Sequence, residues 1–164
     1  MEANKVREII EEWAAGVRAR DIDSVVRRHA PELLMFDVVG PVRLQGLDAY
    51  RRTWIEQFFP WHGGTGRFEL VDLKVSAGAD VAFATALLEC AGTEDGKKVA
   101  FTLRLTIGLE KRNGEWIIVH EHHSQRWTST LLRQDQPDTW RICRRLRHYQ
   151  KGLGCAVVPY KNRR

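Results

Sequence analysis

The feature that most constrains this chain is a change of hydrophobic period at Phe68: helical spacing before it, strict alternation through four consecutive segments after it. Val6, Ile9, Ile10, Trp13 and Val17 fall on one face of a helix over 3–20, with Glu8, Glu11, Glu12 and Arg18 mostly on the other. A break at Asp21, with Asp21 or Asp23 as N-cap, starts a shorter helix from Ile22 to His29, and Pro31 closes it. Leu33 to Val38 and Val42 to Gln45 read as brief strands about a Gly40-Pro41 turn. A third helix runs from Leu47 to Phe59, stacks Tyr50, Trp54 and Phe58, and ends at Pro60. Long strands follow over 67–77, 81–91, 98–109 and 115–124, and Asn113-Gly114 marks the last hairpin.

Helices first and hairpin-linked strands afterwards make an α+β fold, not a series of βαβ units. The expected architecture is a cone-shaped, curved, mostly antiparallel sheet wrapped around three N-terminal helices. Such a half-barrel leaves a cavity suited to a mostly apolar ligand held by a few polar groups.

Composition sharpens this. The chain has 164 residues, 43% of them hydrophobic, enough for one domain with length to spare. Cys90, Cys143 and Cys155 form no C-x-x-C and are odd in number, which suits a reducing compartment. The charged start MEANKVREIIEEW lacks a signal-peptide core, and no apolar run is long enough to cross a membrane. A cytoplasmic protein is expected. The net charge of +5 is unevenly spread. Residues 1–125 hold 16 Lys and Arg against 19 Asp and Glu, whereas 126–164 hold 10 against 2. The body, 1–125, is therefore the expected domain, and 126–164 a basic extension. Poor order, an arm on a partner subunit and contact with an anionic surface remain open for that extension. The basic run lacks regularly interleaved aromatics, so nucleic acid is not an expected partner.

The final strand carries His120-Glu121-His122-His123-Ser124. Alternation puts Trp116, Ile118, His120, His122 and Ser124 on one face and Ile117, Val119, Glu121 and His123 on the other. His120 and His122, side by side, are expected to line the pocket; a structural role and a metal site are the alternatives, and no third metal ligand is evident. His62 is expected in a Gly-rich flap, and His29 and His148 face solvent.

The opening helix followed by Asp-Ile-Asp, together with F-D-V-V-G-P, G-L-D-A-Y-R-R-T-W, R-L-T and G-E-W-I-I-V-H-E-H-H-S, in that order over residues 5–125, resembles the SnoaL-like and ketosteroid isomerase branch of the nuclear transport factor two-like superfamily. The resemblance implies a cystatin-like half-barrel and a small-molecule site. Ketosteroid isomerases carry a general-base aspartate in a short E-D-P-V-G run, and Phe36-Asp37-Val38-Val39-Gly40 takes its place, so Asp37 becomes the candidate base. An apolar cleft suits that role, because lost hydration raises a carboxylate's pKa. Two oxyanion donors of those isomerases are not matched. Trp13 stands where the tyrosine would fall, and Leu103-Arg104 where the protonated acid would fall. Arg104 either faces the cavity as a replacement donor or pairs with Glu89 or Glu121 across the sheet.

These expectations assemble into one reading: a small-molecule-binding protein, catalytic as a cofactor-free isomerase, cyclase or hydratase, or else a non-catalytic dimeric binding or assembly domain. Asp37, His120 and His122 would carry the chemistry, while Trp13, Tyr50, Trp54 and Arg104 hold a small apolar or carbonyl-containing molecule. A homodimer is expected through an apolar outer sheet face, with Ile117, Val119, Leu103, Leu105 and Ile107 as candidates.

Overall fold

The structure, a computed structural model, describes residues 1–126. The basic extension expected from 126 onward, and with it His148, therefore falls outside the described residues beyond Arg126. Helix α1 spans Glu2–Ala19 and buries Val6, Ile10, Trp13, Ala14 and Val17, the apolar face of the sequence pattern. It stops at Arg20, whose left-handed φ of 56° turns the chain. Asp21 then caps α2, Ile22–Val26, by accepting from the backbone N–H groups of Asp23 and Ser24.

Helix α2 is shorter than expected because strand β1, His29–Phe36, begins where the helix was to end. Pro31 is a strand residue rather than a helix stop. Strand β2 is the two-residue Leu44–Gln45 on the sheet's edge, a place that spares β1 from pairing on that side for long.

The third helical segment passes through Pro60 instead of ending there. Helix α3, Leu47–Thr53, leads into a π-helical turn over Trp54–Phe58 and then into α4, Phe59–His62. The wider π turn is one of the few ways a helix can absorb a proline, which has no N–H to give and whose ring crowds the preceding turn.

Strands β3 (Arg67–Ala77), β4 (Val81–Glu94), β5 (Lys97–Arg112) and β6 (Glu115–Ser124) form the long antiparallel part of the sheet. Strands β4 and β5 run further than the alternation suggested, and their turn is the tight Asp95-Gly96 pair, with φ of 47° and 76°. The full sheet is six-stranded in the order β2-β1-β6-β5-β4-β3, with β1 parallel to β6 and every other pair antiparallel.

The sheet is curved and open, and its inner face holds Leu88, Cys90, Leu103, Leu105, Ile107 and Leu109 against α1 and the α3–α4 segment. Leu103, Leu105 and Ile107 are thus core, not an outer dimerisation face. The outward side chains of β3 and β4 that remain apolar are Val71, Val81, Phe83 and Leu87. Among the described residues no helix is long and apolar enough to cross a membrane.

Candidate functional site

Leu33 and Met35 of β1 point inward, and Asp37, one step past the strand's end, keeps that parity. Its side chain is only 15% exposed. The Val38 N–H donates to its Oδ1 at 2.7 Å, and Nδ1 of His123 lies 3.3 Å from the same oxygen. Strand β6 runs parallel beside β1 with Phe36 opposite His122, which brings His123 alongside Asp37.

The two residues share a cavity of about 80 Å³ whose other walls are nearly all apolar, among them Met35, Trp54, Phe58, Leu88 and Leu103. Cys90 also lines it, but burial, and then the charge of Asp37, push its thiol up to about 12, with Arg67 opposing weakly. A thiol so held is inert at neutral pH.

Behind this pair lies a second carboxylate, Glu121, fully buried two residues before His123 on the same face of β6. Its Oε1 accepts from the Tyr50 hydroxyl at 2.7 Å and lies 2.6 Å from Nε2 of His29. The direction of the Tyr50 bond is fixed by Trp13: the indole Nε1–H can only donate, and it donates to the Tyr50 oxygen at 2.9 Å. The phenol proton is therefore turned toward Glu121. Burial first, and the Glu121 charge second, hold the Tyr50 pKa well above its ordinary value. Nε2 of His123 and Oε2 of Glu121 face each other at 3.8 Å, and each lacks any closer partner. For His123, burial is the largest single influence and pulls the pKa down. The Asp37 hydrogen bond and the charges of Asp37 and Glu121 outweigh it, and the net shift is upward.

The expected site residues divide into three groups. Asp37 and Trp54 line the cavity. Trp13 and Tyr50 stand one layer behind it, in the hydrogen-bonded chain that ends on Glu121, with Trp13 packed edge-on to Trp54 and Phe68.

His120, His122 and Arg104 point the other way. In β5–β6 pairing Gly108 faces His120 while the next residue, Leu109, faces Ile118. Val119 is thus an extra residue, a β-bulge, and it breaks the alternation the sequence implied. Trp116 and Ile118 are buried on one side of it, Glu121 and His123 on the other. His120 and His122 consequently flank the Phe36 ring on the outer face, with centroids at 5.2 and 5.8 Å, and Nδ1 of His120 lies 2.8 Å from the Leu34 carbonyl oxygen. Arg104 is outward because Leu103 and Leu105 take the inward positions. It donates to the Gln125 carbonyl at 2.7 Å, while Glu89 pairs with Arg67 and Glu121 with Tyr50.

His29, expected in solvent, is buried against Glu121 and stacks on Tyr50 at 4.8 Å. His62, expected in a flap, ends α4 and is buried against the Phe58 ring at 5.7 Å. Its pKa lies below the ordinary value, through burial first and the nearby Arg20 second.

The sequence profile of the SnoaL-like domain matches residues 6–128, three quarters of the chain and all of the cavity's lining. The chain belongs to the SnoaL-like domain family. Solved structures share its NTF2-like, cystatin-like fold. An NTF2-like protein of unknown function from Pseudomonas putida KT2440 is 26% identical, aligning over 83% of this chain and 96% of that one with a TM-score of 0.68. The CaMKII hub of S. rosetta is 23% identical over 74% and 95% of the two chains, at a TM-score of 0.65. A protein of Shewanella frigidimarina provisionally assigned as a ketosteroid isomerase is 17% identical over 71% and 92%, at 0.61. Among curated proteins none matches.

Within this SnoaL-like chain, His123, Glu121 and His29 are the site residues that the sequence alone did not bring forward. The one signal for them was a carboxylate in the middle of an apolar strand, Glu121, which demands a partner if buried.

Proposed function

We propose that this SnoaL-like domain binds a small carbonyl-containing molecule in the cavity beside Asp37 and moves a proton next to the carbonyl. The observation that carries this reading is the Asp37–His123 pair, a sheltered carboxylate and imidazole on the wall of an otherwise apolar cavity. The Asp37 carboxylate takes a proton from the carbon next to the carbonyl, and the C–H electron pair shifts to leave an enolate. The same proton returns to carbon in an isomerisation, or goes to a departing hydroxide in the reverse of a hydration.

An enolate oxygen needs donors. Trp54 supplies a candidate that Arg104 does not: its ring lines the cavity, and its buried Nε1–H, beside the Tyr50 hydroxyl, makes no hydrogen bond of normal geometry. His123 holds Asp37 in place, its Nδ1 lying 3.3 Å from Oδ1 of Asp37. All of this is side-chain chemistry and calls for no cofactor.

The cavity's size narrows the ligand. A cavity of about 150 Å³ holds benzene, and this one, at about 80 Å³, is smaller. Acetone-sized carbonyl compounds fit the reading. The test is exchange of the α-protons of acetone for deuterium in heavy water, followed by proton NMR. The expected result is acceleration over buffer that falls at least about 100-fold in a folded Asp37→Asn variant, the scale of a lost general base. Absence of both acceleration and ligand saturation-transfer signals would overturn the reading.

A second role, assembly, is supported by the outward Val71, Val81, Phe83 and Leu87, which leave an apolar strip across β3 and β4. A homodimer through this face is compatible with a cavity on the other side of the sheet.

A further inference from the structure

The Val119 bulge leaves two histidines on the outer face of the sheet that the Asp37 cavity does not use. Past the bulge, Glu121 and His123 are buried, while His120 and His122 face outward two residues apart on β6. Side chains so spaced on a strand stand side by side, and the two ring centroids are 6.5 Å apart. In register, His120 lies between Leu34 of β1 and Gly108 of β5, and His122 between Phe36 and Thr106. The Phe36 ring meets both imidazoles edge to face, which packs the pair against β1. On the β5 side, Gly108 adds no side chain beside His120.

The hydrogen bond of His120 sets its chemistry. Nδ1 lies 2.8 Å from the Leu34 carbonyl oxygen, which can only accept, so Nδ1 carries the proton. In the neutral ring the lone pair is then on Nε2, which makes no hydrogen bond and stays accessible. An imidazole that donates through one nitrogen to a backbone carbonyl and offers the other is the form in which histidines ligate metals. His122 is exposed and makes ring contacts but no hydrogen bond or ion pair. One ring is thus anchored in the ligating form, and its neighbour is free to turn toward it.

We propose that His120 and His122 form a chelating site for a late first-row transition-metal ion of the nickel, copper or zinc class. Imidazole suits these ions. A chelate brings the rings closer than 6.5 Å, because the ion lies about 2.1 Å from one nitrogen of each. Rotation of His122 toward Nε2 of His120 closes that distance, and nothing but the Phe36 edge holds His122 where it is. Among the described residues no set of three or more His, Cys, Asp and Glu side chains is placed to hold a metal. The ion therefore keeps its other positions for water or a small anion. The site is on the opposite face of the sheet from the Asp37 cavity and does not depend on carbonyl chemistry there.

The experiment titrates full-length, nitrogen-15-labelled protein with nickel chloride and follows the backbone amides by NMR. Nickel is used because copper also undergoes redox exchange with cysteine thiols. A paramagnetic ion broadens the signals nearest to it, so the amides of His120, His122, Gly108 and Thr106 are expected to be lost first. His120→Gln and His122→Gln should each raise the nickel concentration that gives half of this broadening by at least about tenfold, the scale on which metal sites lose affinity when their support is removed. That both single variants lose the site is what separates a chelate from two independent histidines.

Broadening that begins elsewhere in the domain overturns the proposal. So does a midpoint unchanged within about twofold in either folded variant, since a true chelate loses far more with one ligand. His122 is exposed and makes no hydrogen bond, so its replacement leaves the fold intact. If loss of the Leu34 bond prevents His120→Gln from folding, His122→Gln decides alone.

Discussion

At the scale of single residues, the site is defined by His123 more than by any residue the sequence made conspicuous. Its imidazole has a carboxylate toward each nitrogen, Asp37 at 3.3 Å and Glu121 at 3.8 Å, and these favour the charged ring against the pull of burial. The folded-state pKa is thus raised above the ordinary 6.5. A raised histidine contributes stability that is complete below the unfolded pKa and is lost as pH climbs through the folded one. Comparison of wild type with His123→Gln by urea unfolding should therefore give a stability difference that is largest near pH 6 and shrinks toward pH 9. A difference that grows with pH would show the ring is neutral in the fold. His62 has the opposite sign, since its lowered pKa costs stability as pH falls below about 6.5; holding it constant in both proteins removes it from the comparison. Asp37 was legible in the sequence because a motif carries it. His123 was not, because its role depends on which way a strand faces, and two adjacent histidines offer both choices.

At the scale of elements, the helices and strands were legible because hydrophobic period reports burial directly. The departures share one cause, a single residue that interrupts a regular repeat while the element continues. Val119 adds a residue on the outer side of β6, so alternation counted from Trp116 assigns the wrong face to everything after it. Pro60 read as a stop because its ring forbids an ordinary helical turn, and the π turn that admits it leaves no sequence mark. The same segment is held by close packing against β4. A Cβ on Gly92 would lie 2.5 Å from the Trp61 ring and 2.6 Å from the Trp61 carbonyl oxygen, and that ring packs on Phe101 with centroids 5.3 Å apart. Backbone on one side and a large ring on the other leave little freedom to shift. Gly92→Ala should cost about 1–3 kcal/mol, the range for overpacking, visible as a lower melting temperature by calorimetry. A melting temperature equal to wild type would mean that α4 can move off the sheet at no cost.

At the scale of the whole domain, a curved sheet must do two things with two faces. Its inner face is spent on α1, the α3–α4 segment and the small cavity, which leaves the outer face to be explained. There the pairing registers place Val71, Leu87, Arg104 and Ser124 in one row, and Ser76, Phe83, Gly108 and His120 in another. Phe83 is 53% exposed and stands beside Gly108, which has no side chain to cover it. A monomer would keep this aromatic ring and the neighbouring Val81 and Leu87 in water, whereas two copies meeting sheet to sheet would bury them together. The row of mixed character fits such a contact, because Arg104 gives a charged fixed point within an apolar strip. Light scattering after gel filtration at micromolar concentrations should give twice the chain mass, and Phe83→Lys, which places a charge at the strip's centre, should halve it without changing the circular dichroism. A wild-type protein that runs as a monomer, or a Phe83→Lys variant that keeps the dimer mass, would remove this face from the assembly. The cavity beside Asp37 would then be the domain's remaining candidate for function.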